Sequence, residues 1–573
     1  MMAKKWYLYA KKADFKGIAE RLSIDPVTVR VLRNRDIEGD EEIRRFLFGG
    51  LDELEDESRL PDAGRAVRII AEKIREQKPI RVVGDYDIDG VCASYIMVTV
   101  LRSLGAKADF VIPDRIRDGY GINSRIIEEA GEAGINTLIT VDNGISAIDE
   151  LRLAKELGLT VVVTDHHEIR RDADDAELIP EADAVVDPKL SSSAYAMKDI
   201  CGAVVAWKLA RLLLREFNGD EELWLSLLPF AAIATVGDVM PLKSENRIIV
   251  REGLKRINES RRKLNTGLYE LIRACGLLDK ELSAYHIGFV IGPCINAGGR
   301  LETAYDAMEI FLSGSHKEAE ALALHLKDLN DERKAMTERG VEEAAALAEG
   351  EFSKDKVLLI ELPKLHESLA GIVAGRIRER FSKPAIVITD TDTKGVSKGS
   401  GRSIENYNMF EGLLREQDIF IKFGGHPMAA GLSLNTDRIG ELRLRLNRHC
   451  GLKEDDLCEK IWIDAELPFS YITEGLINEL SSLAPFGNGN ERPLFAQKEL
   501  RASDLRVLGK NKNVLRFLLR NREGRALPAV MFGEAEELSR RLVEKDTFSA
   551  LYYPQINEFN GRRSIQLTVL DFI

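Results

Sequence analysis

Several common signatures are missing from this 573-residue chain, and each absence removes a class of function. The six cysteines (Cys92, Cys201, Cys275, Cys294, Cys450, Cys458) include no CxxC pair. A disulfide framework and a zinc ribbon are therefore not expected, and a reducing, cytoplasmic setting is. No window approaches about 20 uninterrupted apolar residues, so no membrane-spanning helix is expected. Residues 1–15, MMAKKWYLYAKKADF, carry scattered charge and no apolar core followed by small residues, unlike a secretory leader. Positive charge is also short: Lys+Arg number 81 against 94 Asp+Glu, a net −13. Taken alone, that balance argues against a surface coated onto nucleic acid. What is present is an ordinary globular composition, 45% apolar and 31% charged, with room for roughly three to five domains.

Residues 1–75 are charged and helix-like, with Asp25 and Pro26 placed as N-cap and first helical residue of DPVTVRVLRNR (25–35). An alternation of short β-rich and helical runs follows. PIRVVGD (79–85), ADFVIP (108–113), NTLITVD (136–142) and TVVVTD (160–165) read as strands, separated by helices over 91–105, 122–134 and 145–158. Near-continuous Val/Ile/Leu strands spaced by helices predict βαβ units and a parallel, doubly wound sheet. Residues 200–315 read as mostly helical. The proline-free stretch 316–350 reads as one long connecting helix, against the alternative of two helices broken near Asn330. A second α/β region spans about 355–455, and the last hundred or so residues carry short alternating strands divided by polar turns, as in a small β-barrel.

Acids stand at three strand ends of the first α/β region: Asp85, Asp87 and Asp89 in GDYDIDG, Asp142 in VDNG, and Asp165 with His166 and His167 in TDHH. In an open parallel sheet the ligand crevice lies at the carboxyl ends of the strands, so these residues should converge. Carboxylates with imidazole suit a hard to borderline divalent ion, Mn²⁺ or Mg²⁺. Asp85 and Asp87 are two residues apart, so extended backbone would set both on one face. A turn could aim both inward, or one could bind metal while the other orients a ligand. Asp238, in ATVGDVMPL, is a further candidate ligand. A lone Asp at a strand end is more often a helix N-cap, a role open to Asp89. That reading does not account for the whole set, given only eight histidines in the chain.

The motifs GDYDIDG (84–90), VDNG (141–144), DHH (165–167) and VGDVMPL (236–242) resemble, in order, those of the DHH phosphoesterase superfamily. PDRIRDGYG (113–121), GPCINAGGRLE (292–302), LHESLAGIVAGR (365–376), KGSGRS (398–403), GGHPMAAG (424–431) and LAPFGNGNERPLF (483–495) narrow the resemblance to the RecJ-like single-stranded-DNA exonucleases. The resemblance covers nearly the whole chain. It implies an N-terminal helical segment (1–75), a DHH domain with a helical part (76–315), a connecting helix (316–350), a DHH-associated α/β domain (351–458) and a C-terminal OB-fold barrel (459–573). It also implies 5′→3′ hydrolysis of single-stranded DNA in repair and recombination, with two ions of Mn²⁺ or Mg²⁺. Asp85, Asp87, Asp142, His166 and Asp238 would be the metal ligands, Asp142 bridging. Asp165 would orient the site, His167 would contact phosphate, and Asp89 ranks lower. Arg115, Arg300, Ser400, Arg402 and the small-residue turn Gly424, Gly425, His426 match the phosphate-binding motifs. Partners implied are the DNA strand, single-stranded-DNA-binding protein and a helicase. A monomer and no membrane are implied as well. Cys294, Leu365 and Gly237 depart from the family's usual Arg, Trp and Ala, and Cys294 is expected to alter contacts near the phosphate site.

Residues 501–573 hold 13 Lys+Arg against 9 Asp+Glu, a net +4 that leaves the first 500 residues at −17. Asn511, Lys512, Arg516, Arg520, Arg562 and Arg563, with Phe517 and Tyr552 or Tyr553, suit an OB-fold that tracks a strand backbone and stacks its bases. Two other readings stand beside this one. One is a DHH phosphodiesterase on short oligonucleotides or cyclic dinucleotides, which would need no strand-binding extension. The other is an inactive scaffold, against which the intact acid set argues.

Overall fold

Strand hydrophobicity decides the architecture. Ile80–Val83, Thr137–Val141, Thr160–Thr164 and Ala184–Val186 are almost wholly buried, so each needs cover on both faces. The structure, a computed structural model describing residues 4–559 and 561–573, supplies it. These strands and Ala108–Val111 form a five-stranded parallel sheet. Numbered along the chain, the strands lie in the order 2-1-3-4-5, which reverses between Ile80–Val83 and Thr137–Val141. A reversal of this kind opens a crevice at the carboxyl ends. Helix Ile88–Ser103 is apolar on every side and is sunk between the sheet and helices Gly202–Glu216 and Leu228–Gly237.

The helix from His316 to Glu349 is continuous over 34 residues, about 50 Å at 1.5 Å per residue. Ser315 caps it through the Glu318 N–H, and no break occurs at Asn330, which is buried with its amide directed at Cys294 Sγ. The second sheet is mixed: Phe420–His426, Ala429–Asn435, Val396–Arg402, Ala385–Asp390 and Leu358–Glu361 in spatial order, with only the last two parallel. The third closes on itself through Phe495–Leu508, Val514–Arg520, Ala526–Phe532, Arg562–Phe572 and Phe548–Phe559, the last pairing back to the first. That five-stranded closure is the OB-type barrel.

Two expectations change. The stretch 1–75 is not one helical segment. Lys4–Leu8 is a strand paired in parallel with Glu459–Ile463. Val31, Leu32, Ile43 and Phe46 join the barrel's core, whereas helix Ala63–Arg75 joins the first α/β core. Burial drives this division, because each amphipathic helix covers whichever apolar face lies over it. In the barrel, Phe517 and Tyr552 are core residues, 2% and 0% exposed, and are not available to stack bases. Arg516 and Arg520 alternate outward from the same strand. Among the described residues no helix is long and apolar enough to cross a membrane.

Candidate metal centre and anion pocket

The crevice at the sheet reversal collects the acids. Asp142 follows its strand in a left-handed conformation, φ 62°, and its backbone carbonyl accepts a 2.9 Å hydrogen bond from Tyr120 Oη. A non-glycine residue held there marks local strain of the kind found at functional sites. Asn143 ties two strand ends together, donating to the Val83 and Val141 carbonyls. His166 Nε2 stands 3.0 Å from Asp142 Oδ1, 3.5 Å from Asp89 Oδ2 and 3.8 Å from Asp238 Oδ2. Two sets of donor atoms close enough to share an ion result: Asp142, His166 and His167, and Asp89, His166 and Asp238.

Asp85 and Asp87 belong to neither tight set but border them. Asp85 Oδ1 accepts from Gly121 N–H at 3.4 Å. Asp87, not Asp89, is the N-cap of helix Ile88–Ser103, accepting from the Asp89 and Gly90 N–H groups. Asp89 is buried one turn in, and its carboxylate accepts the Gly202 and Ala203 N–H groups at 2.6 and 2.8 Å, where helix Gly202–Glu216 begins. A Cβ at Gly202 would meet Asp142 Cβ at 2.6 Å, so only glycine lets this helix end approach the acids.

The charge state follows from burial. Burial and the neighbouring Asp87 push the Asp85 carboxyl up to about 8, and burial with Asp89 lifts Asp238 to about 8. Burial and repulsion from Asp89, Asp87 and Asp85 raise Asp142 well above the usual carboxylate range. Burial lowers His166, keeping its imidazole neutral with a free lone pair. Burial works against a charge on His167, but the 2.7 Å hydrogen bond to Asp165 Oδ1 outweighs it and carries His167 up to about 9. Asp142 Oδ1 and Asp238 Oδ2 are buried and accept no hydrogen bond. Crowded carboxylates with orphaned oxygens and a neutral imidazole fit hard to borderline divalent cations.

Tyr86, between Asp85 and Asp87, reaches into a second cavity of ≈ 550 Å³. Arg115, whose guanidinium lies 4.8 Å over the Tyr86 ring, lines it with Arg300, Ser400 and Arg402. Arg402 donates to Ser400 Oγ at 3.1 Å, and Arg300 to the Ser368 carbonyl at 3.0 Å. Burial and the neighbouring Arg115 bring Arg300 down to about 10; burial with Arg378 and Arg115 lowers Arg402. Arginines that repel one another in a cavity invite an anion.

Sequence reasoning missed three parts of this cavity. Lys398 lines it, 3.0 Å from Glu367. So does Tyr86. So does the start of helix Ala370–Phe381, where a Cβ at Gly371 would lie 2.7 Å from the Arg402 guanidinium. The LAGIVAG run was the available signal, since small residues at a helix N-terminus admit an anion. Gly424, Gly425 and His426 do not line the cavity. They form the exposed outer strand, and Gly431, paired with Gly424, lines it instead. Cys294 is buried 3.8 Å from Cys275 Sγ and is not part of the cavity wall.

Comparison with known proteins agrees with this layout. The family model for the N-terminal domain of the DHH family matches residues 79–235, that for the DHHA1 domain 354–451, and that for the RecJ OB domain 463–571. The chain is 36% identical to the single-stranded-DNA-specific exonuclease RecJ of Bacillus subtilis, over 100% of this chain and 71% of that protein. It is 34% identical to RecJ of Haemophilus influenzae over 97% of each. A crystal structure of RecJ in complex with Mn²⁺ from Thermus thermophilus aligns with a TM-score of 0.83 at 26% identity, covering 99% of this chain and 79% of that one. With three matching domain models in order and relatives matched along its full length, the chain belongs to the RecJ family of DHH phosphoesterases.

Proposed function

We propose that this chain is a single-stranded-DNA exonuclease that hydrolyses phosphodiester bonds from the 5′ end. The observation that carries the reading is the loop 84–90. Its acids border a cluster short of positive charge, and its tyrosine lines a cavity crowded with arginines. A reaction on a nucleic-acid end needs both neighbourhoods side by side.

Mn²⁺ or Mg²⁺, two ions held among Asp85, Asp87, Asp142, His166 and Asp238, supplies the charge neutralisation and water acidification that phosphodiester cleavage requires. Asp89 joins that set as a candidate because it stands 3.5 Å from His166 Nε2. His167, held protonated by Asp165, donates a charge-assisted hydrogen bond to a phosphate oxygen. Asp165 also accepts from Ile145 N–H, which fixes the imidazole's direction. Arg115, Arg300, Ser400 and Arg402 bind the terminal 5′-phosphate, with Lys398 and the helix end at Ala370 beside them. A terminal monophosphate carries more charge than an internal diester, so this pocket ranks the 5′ end over any interior position. The strand then runs toward the barrel, whose residues 501–573 carry a net +4.

We further place the reaction in repair and recombination in the cytoplasm, carried out by a monomer alongside single-stranded-DNA-binding protein and a helicase. The test of the reading is Mn²⁺-dependent hydrolysis of a 5′-phosphorylated single strand, with the matching duplex and a cyclic dinucleotide as controls. Preference for the cyclic dinucleotide would favour the small-substrate alternative.

A further inference from the structure

Residues 284–301 form one uninterrupted helical run: an α-turn Ala284–His286, a π-helical turn Ile287–Ile291 and an α-helix Gly292–Leu301. π-Turns recur at functional sites, where they re-aim the side chains of one face. Here one stripe of the run holds Tyr285, Phe289, Pro293, Asn296 and Arg300, exposed at Tyr285 and Phe289 and part-buried at Pro293, Asn296 and Arg300. Arg300 ends the stripe inside the anion cavity. Asn296 comes next, its Oδ1 accepting the Ile88 N–H beside the acidic loop. A Cβ at Gly288 would touch Val236, two residues before Asp238, so the middle of the run passes the metal centre. At the other end Tyr285 and Phe289 are 62% and 64% exposed, with their rings stacked 5.0 Å apart at 27°.

We propose that the Tyr285–Phe289 pair is a stacking platform for unpaired bases of the DNA strand on the 3′ side of the bond being cut. This deepens the exonuclease reading and rests on it. Eleven residues separate Phe289 from Arg300, about 16 Å of helix at 1.5 Å per residue. That distance is about five nucleotides at a stacked rise of 3.4 Å, and fewer for a stretched strand. A strand with its 5′-phosphate on Arg300 therefore brings its next few bases to the two rings.

The surroundings continue the same track. Tyr285 borders a groove of ≈ 480 Å³ that also holds Arg251, Lys255, Phe486 and Arg492. Arg492 lies 5.0 Å over Phe486 and 4.7 Å over Tyr553 of the barrel, so rings and cations alternate from the helical run to the OB-fold. Glu259 and Glu281 share the groove and nearly balance its charge. Binding there must come from ring contact rather than from counterion release, as at stacking platforms for single strands. Only an unpaired base offers its face to such a ring, so the platform favours single over double strands.

The experiment compares a 5′-phosphorylated 20-nucleotide oligothymidylate with a 5′-phosphorylated dinucleotide that is too short to reach the rings. The readout is the ratio of kcat/KM for the long substrate to that for the short one. In the double variant Tyr285→Ala, Phe289→Ala the ratio should fall at least tenfold below wild type, chiefly through KM on the long strand. The aromatic exchange Tyr285→Phe, Phe289→Tyr should keep the wild-type ratio. A ratio within twofold of wild type in the alanine variant would overturn the platform, as would loss of the ratio in the aromatic exchange. Equal loss on both substrates leaves the ratio unchanged and so counts against it too. Failure of the wild-type protein to degrade either strand would instead remove the exonuclease reading, which keeps the two failures distinct.

Discussion

The metal centre and the anion pocket are opposites built on a shared loop. The first gathers buried carboxylates whose mutual repulsion calls for cations; the second gathers arginines that call for an anion. They also differ in construction. Every acid of the metal centre comes from the first α/β domain, with Asp85, Asp142 and Asp165 at strand ends of one sheet and Asp87, Asp89 and Asp238 at helix ends. The anion pocket takes Tyr86, Arg115 and Arg300 from that domain and Lys398, Ser400 and Arg402 from the second. The helix His316–Glu349 bridges the two domains. Cleavage is thus set within one domain, whereas recognition of a strand end depends on how two domains are held.

That contrast can be broken most severely at Asp142. Asp142→Ala should lower kcat on the order of a thousandfold while DNA binding in chelator persists, measured by anisotropy of a labelled strand. Appreciable Mn²⁺-dependent cleavage by this variant would remove Asp142 from the ligand set. Arg402→Ala should act on the other half. It should cost about 2–3 kcal/mol, roughly 30–150-fold in kcat/KM, on a 5′-phosphorylated strand and little on a 5′-hydroxyl strand. Equal effects on both strands would mean that the pocket does not read the terminal phosphate.

Glu338→Pro, on an exposed turn of the connecting helix, should bend it and misplace the second domain. Discrimination between 5′-phosphate and 5′-hydroxyl should fall by about tenfold while Mn²⁺ affinity, read by calorimetry, stays within a factor of about two, since the ligands lie outside the disturbed helix. Parallel loss of both would show that the two sites are not separable.

The smallest effect concerns pH. Asp85 and Asp238 are raised to about 8, above their unfolded values, so the metal-free protein is favoured at low pH. This contribution is complete below about pH 4 and is lost as pH rises toward 8. Mn²⁺ replaces the missing positive charge, so the rise in Tm it causes should grow from pH 5 to pH 8, to about 5 °C. A Tm rise independent of pH over that window would contradict the crowded-carboxylate account.

Much of this was legible in the chain because acids at the ends of buried parallel strands have few places to go. GDYDIDG, VDNG and TDHH all reach the crevice. The finer division was not legible. Whether Asp87 or Asp89 caps the helix depends on a two-residue shift in where its first turn begins. Asp89 is defined by helix Gly202–Glu216, more than a hundred residues downstream. Gly424 and Gly425 resemble a phosphate turn, yet strand pairing sets which side of a sheet faces the cavity, and that pairing is not local. The barrel holds the reverse case. In VLRFLLR the alternation places Phe517 with Leu515 and Leu519, so its burial could be read from period two alone. The pairing of Lys4–Leu8 with Glu459–Ile463 had no local signal at all.

The account stands or falls on end recognition coupled to cleavage. A time course on one single strand, labelled at the 5′ end in one sample and at the 3′ end in another, tests it with Mn²⁺ present. The prediction is immediate release of 5′-labelled mononucleotide, with the 3′-labelled strand shortening as a descending ladder. Mononucleotide appearing first from the 3′ label, or internal fragments from both, would contradict it.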